Sequence, residues 1–171
     1  MKGKWAAGIA PRNFAWIIKD QIAISERPGG YARSHRPVRR QEEIIWIREQ
    51  RFDRVISLLP SPHNLHAYEE LGVASEHLPF GRHDDPRPLL ADLYTRIATW
   101  LGNGEKLLIH QEEMGDRLLG VVAGYLVWAK LVPMPAEAIS VVERINQRQM
   151  GSPGRELVSV AVGLAGSTES F

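Results

Sequence analysis

The sequence predicts an α/β fold, a central mixed or parallel sheet of four or five strands flanked by helices. Two observations carry that prediction. Short apolar runs alternate with longer segments in which apolar residues recur at helical spacing. Two of the runs, Arg54 to Leu59 and Lys106 to His110, are apolar almost without interruption, as strands covered on both faces are.

The elements follow in order. Phe14 to Ile18 and Gln21 to Ile24 read as a pair of strands with a turn at Lys19 and Asp20. Arg27-Pro28-Gly29-Gly30 breaks the chain. Pro37 suits an early helical position, where its fixed φ is already helical and its missing N–H costs nothing. That helix runs to about Gln50, with Val38, Ile44, Ile45 and Ile47 available for burial. The run from Arg54 ends at Pro60. Asn64 is placed to cap a short helix to Leu71, and Gly72 to end it. Ala74 to Phe80 is extended, and Gly81 to Pro86 is rich in turn residues. Leu89, Leu90, Leu93, Ile97 and Leu101 share a helical face that Gly102-Asn103-Gly104 stops. Beyond the strand ending at His110 come a polar loop, Gln111 to Asp116, and a helix apolar on nearly all sides, Arg117 to Leu131. Two more helices are expected, Ala136 to Gln149 and Gly154 to Leu164. Trp16, Trp46, Trp100 and Trp128 are assigned to the core and Trp5 to the surface.

The chain's 171 residues suit one domain, 1–171, with a sizeable core. That core is expected between residues 11 and 164, with flexible ends at 1–10 and 166–171. Charges nearly cancel, 21 Lys and Arg against 20 Asp and Glu, so no global attraction to nucleic acid or anionic membrane is expected. The absence of cysteine excludes more: disulfides, thiolate-bound zinc, cysteine-held iron–sulfur clusters and a cysteine nucleophile. His63 and His66 lack the carboxylate context of a metal site, and neither metal nor other cofactor is expected. Lys2 and Lys4 precede an apolar run shorter than the roughly 7–15 residues of a secretory signal. Leu118 to Ala129 falls short of the roughly 18 residues of a membrane span. The expected compartment is the cytoplasm.

The loop 111–116 leaves a central strand and enters a buried helix, where open α/β sheets bind their ligands. Around it the chain resembles a known family. Pro11-Arg-Asn-Phe-Ala-Trp16 and Ile22-Ala-Ile-Ser25, then Phe52-Asp-Arg-Val-Ile-Ser-Leu58, Tyr68-Glu-Glu-Leu-Gly-Val73 and His77-Leu-Pro79, are similar in order and spacing to the dual-specificity branch of the cysteine-dependent protein tyrosine phosphatases. Leu107-Leu-Ile-His-Gln-Glu-Glu-Met-Gly-Asp-Arg117 stands where that family carries its signature, H-C-x5-R. The resemblance spans about Pro11 to Leu164 and implies the phosphatase fold. It also implies a loop whose backbone N–H groups wrap a phosphate at a helix N-terminus. An arginine there forks onto two phosphate oxygens, a thiolate attacks phosphorus, and an aspartate on the preceding loop protonates the leaving group.

Against that pattern the frame is kept and the chemistry is lost. His110 and Arg117 stand in register, but the nucleophile position is Gln111, a neutral carboxamide. The usual loop glycine corresponds to Met114, with Gly115 following, and the hydroxyl that assists the leaving thiolate corresponds to Leu118. Glu112, Glu113 and Asp116 set three negative charges against Arg117. At an effective dielectric near 20, each like-charge contact at 4 Å costs about 4 kcal/mol, against the roughly 0.3–2 kcal/mol a helix terminus returns. An inward-facing acidic loop would reject phosphate, and an outward-facing one would not.

Each candidate residue has two readings. Arg117 is either an anion clamp or the partner of a nearby carboxylate. His110 orders the loop by hydrogen bonding. Asp84 and Asp85 are either vestiges of the general acid or a turn whose aspartate caps the helix after Pro86. The basic stretch Arg33 to Arg40 either starts a solvated helix or joins Arg117 and Gly115 in binding an anion, chiefly through Arg33 and Arg36. Two functions follow. One is a pseudophosphatase, a non-catalytic binding or regulatory module for a protein partner, phosphorylated or otherwise anionic. The other is a hydrolase with replaced chemistry, in which Glu112, Glu113 or Asp116 acts as base or nucleophile; by fold alone, the resemblance implies a dual-specificity protein phosphatase.

Overall fold

The computed structural model describes residues 8–29, 37–62, 65–81 and 83–168. Its contacts gather into two compact units, Met1–Gly81 with Asn103–Met114, and Arg82–Gly102 with Gly115–Phe171.

The first unit holds a five-stranded sheet. Its strands are β1 (Ala15–Ile18), β2 (Ile22–Glu26), β3 (Arg54–Ser57), β4 (Ser75–His77) and β5 (Leu107–Gln111), in the spatial order β1-β2-β5-β3-β4. β1 pairs with β2 antiparallel through a turn in which Asp20 takes a left-handed φ of 62°. All other pairings are parallel, which explains the continuous apolar runs: every residue of β5 is buried. Helices α1 (Pro37–Glu49) and α2 (Leu65–Glu70) supply Ile44, Ile47, Ala67 and Tyr68 to a core shared with Ala23, Val55 and Leu108. Beside it Trp16 stacks on Phe52, with the Lys106 ammonium 5.6 Å and 5.1 Å from the two ring centres.

In parallel register, Ser25, His110, Ser57 and His77 fall side by side across β2, β5, β3 and β4. This polar row lies at or next to the carboxyl ends of four strands. β4 is shorter than the extended segment expected over Ala74 to Phe80. The N–H groups of Leu78 and Phe80 still donate to Ser57 and Leu58, so the chain stays close to β3 beyond the ladder. Val38, expected to be buried, is 66% exposed, because α1 turns Ile44 and Ile47 inward instead. Asn64 lies outside the described residues.

The second unit is helical: α3 (Pro86–Gly102), α4 (Asp116–Trp128), α5 (Pro135–Asn146) and α6 (Ser152–Thr168). Every residue from Leu118 to Leu126 is buried, so α4 is the apolar axis of this unit, as its composition predicts. It ends at Trp128, and Leu131, expected within it, is 55% exposed. α6 is longer at both ends than expected, and residues 166–168, expected to fray, are helical. The described tryptophans, Trp16, Trp46, Trp100 and Trp128, are half-buried rather than fully buried, a consequence of the size of the indole ring. Trp5 lies outside the described residues. No helix among the described residues is long and apolar enough to cross a membrane.

Candidate functional site

Strand β5 carries the candidate site to its carboxyl end. His110 faces the side of the sheet that packs on α1 and α2, since it alternates with Leu108 of that core. Its side chain is wholly buried, and Nε2 lies 3.1 Å from the Tyr68 hydroxyl. Nδ1 meets no partner among the described residues, and neither does the adjacent Ser57 Oγ. Burial, reinforced by the neighbouring Arg27 and His77, pushes the imidazole down to about 3, so His110 is neutral near pH 7. Tyr68 is held protonated in turn, its hydroxyl raised by burial and then by the Glu43 carboxylate.

Gln111 is the last residue of the strand, not the first of the loop as expected. Its carbonyl accepts from the Arg27 N–H at 2.8 Å. Its side chain is buried, with Nε2 donating to the Phe80 carbonyl at a long 3.4 Å. The carboxamide therefore ties the strand end to the start of the turn that follows β4. It offers no ionisable atom where the resembled family has a thiolate. Glu112 and Glu113 are both solvent-exposed, and Met114 is half-buried.

In the second unit, Gly115 occupies the N-cap of α4 in extended conformation, with no side-chain cap bond among the described residues. Asp116 opens the helix. Its carboxylate pairs with Arg148 at 3.4 Å and rests against Gly151, so this acid serves the packing of α4 on the α5–α6 connection. Arg117 is half-buried at the second helical position, and Leu118 is fully buried. Of the three loop acids, two face solvent and the third is paired.

Asp84 and Asp85 are exposed. Asp85 Oδ1 accepts the Arg87 N–H at 3.1 Å, with Pro86 at the first helical position of α3. That is an N-cap, the second of the two readings offered for this pair. Arg33 and Arg36 lie outside the described residues.

Three contributors escaped the sequence reading. Tyr68 and Arg148 reach His110 and Asp116 from 42 and 32 positions away, a separation that no local spacing reveals. Glu26, buried at 8% exposure, is the register partner of Gln111 on β2 and accepts from Asn13 Nδ2 at 2.9 Å. Its only sequence signal is a charge ending an otherwise apolar strand.

No protein-family model matches the sequence, and no curated protein sequence matches it. Solved structures do. The active form of Tk-PTP is 21% identical with a TM-score of 0.69, covering 88% of this chain and 95% of that one. Kinase associated phosphatase, with its catalytic-site cysteine replaced by serine, is 16% identical with a TM-score of 0.75, covering 95% and 98%. A mouse putative dual specificity phosphatase complexed with zinc tungstate is 14% identical with a TM-score of 0.68, covering 94% and 92%. At these identities the likeness establishes the fold. The chain has the fold of the dual-specificity and tyrosine phosphatases, and it has no cysteine.

Proposed function

We propose that this chain, which has the phosphatase fold without the phosphatase nucleophile, is a pseudophosphatase. It acts in the cytoplasm as a non-catalytic binding or regulatory module for a phosphorylated protein partner. The observation that carries this reading is Gln111, a buried carboxamide at the end of β5 in a chain with no cysteine. A carboxamide nitrogen has no nucleophilic lone pair to match a thiolate, and the hydroxyl that would assist turnover is replaced by the buried Leu118.

Anion recognition outlives that loss on electrostatic grounds. Glu112 and Glu113 are exposed, where water and salt screen them, and Asp116 is paired with Arg148. The start of α4 has no side-chain cap bond among the described residues, and its partial positive charge favours an anion. Arg117 in that first turn adds a cation suited to bidentate phosphate binding.

Tungstate, a tetrahedral oxyanion, is a direct probe, followed by phosphorylated peptides. Titration monitored by amide NMR is expected to shift Gly115 to Leu118 saturably, with affinity at least about tenfold weaker in Arg117→Ala. The absence of any saturable shift at those amides in the wild type would overturn anion recognition.

A further inference from the structure

We infer that α5 is a self-association surface, a two-fold interface between two copies of this chain. The outward face of α5 and the connection before it form a groove of about 500 Å³. Leu131 and Met134 stand 55% and 56% exposed beside it, while Ala138, Ile139 and Val142 of the same helix turn into the protein. Exposed large apolar side chains gathered at one place mark interaction surfaces on soluble proteins.

The charges on this face say what covers it. Glu137 and Arg144 line the groove, both exposed. Neither makes an ion pair or hydrogen bond among the described residues. They lie two helical turns apart, about 10.5 Å along the axis at 1.5 Å per residue, too far to pair with each other. They are also equally distant from the Ser140–Val141 midpoint. An antiparallel second copy of α5, related by a two-fold axis through that midpoint, sets Glu137 of each copy against Arg144 of the other. A closed two-fold interface requires this self-complementarity, in which residue i meets j and j meets i. Ala136 and Ser140 are small and exposed, which lets two helices approach closely. An unrelated partner would need its own matched pair of charges at this spacing; a second copy carries them already. The face is small, so the association belongs with weak, concentration-dependent interfaces.

The test is sedimentation equilibrium of the full chain across concentrations up to the millimolar range. The wild type is expected to self-associate. Arg144→Glu, a surface change, should weaken association at least about tenfold by placing like charges together, with unchanged circular dichroism. The swap Glu137→Arg with Arg144→Glu should restore it. Because the chain has no cysteine, Ser140→Cys gives a second readout: near the axis it should form a single intermolecular disulfide under mild oxidation, suppressed by adding Arg144→Glu. A wild type that stays monomeric would overturn the proposal. So would association indifferent to Arg144→Glu, or a double swap that fails to restore it.

Discussion

His110 is where the chemistry of single residues is most exposed to test. Its imidazole is neutral in the folded chain because burial pushes its pKa down to about 3, against about 6.5 when unfolded. Between those values the unfolded chain binds a proton that the folded chain does not. Stability is therefore fully supported above about pH 6.5 and falls as pH drops toward 3, by up to about 1.4 kcal/mol per unit. Urea unfolding across that range should show this slope, and His110→Gln should flatten it. The Tyr68 hydroxyl is the imidazole's hydrogen-bond partner. Tyr68→Phe would leave both ring nitrogens unpaired in a buried site, at an expected cost of about 1–3 kcal/mol in the same assay. Gln111→Cys addresses the loop itself. It is expected to give no robust turnover of an aryl phosphate, since Leu118 and the altered loop remain; strong activity would show that one atom was all the site lacked.

At the scale of elements, α4 and α6 touch where each has a glycine. A Cβ on Gly120 would lie 2.6 Å from the Gly154 carbonyl oxygen and 2.7 Å from its Cα, a backbone clash no rotamer relieves. Gly120→Ala should cost about 1–3 kcal/mol as helix-spreading overpacking, read as a lowered Tm. In the sheet, Arg54 at the start of β3 binds Glu76 at 2.6 Å and Glu105 at 3.0 Å. All three side chains are partly buried, and Arg54→Ala should lower stability by about 1–3 kcal/mol because two carboxylates lose their partner.

The same scale shows what was legible. β3 and β5 are readable because parallel strands are apolar throughout, and α3 because Leu89, Leu90, Leu93, Ile97 and Leu101 recur at helical spacing up to Gly102-Asn103-Gly104. α6 is longer than its sequence suggests: Gly166 lowers intrinsic helix propensity, yet the helix continues through it, as tertiary packing commonly allows. The sequence around Asp85 offers two roles, and the Arg87 N–H that its carboxylate accepts is a capping contact. The side-chain partners of His110 and Asp116 were not legible at all, because they depend on tertiary contacts between residues far apart in the chain.

At the scale of the whole molecule, the proposal separates fold from activity. The chain has the strand order of the phosphatase fold, a buried α4 and a histidine before the loop, and it has no cysteine. Charge that sequence alone set against phosphate is disposed outward or paired. That disposition is compatible with holding an anion, and the proposed inactivity rests on the missing thiolate. The most direct measurement is steady-state hydrolysis of a generic aryl phosphate by the wild-type chain, with Arg117→Ala beside it. Both are expected to run at the uncatalysed background rate. Turnover well above background that disappears in Arg117→Ala would contradict the proposal.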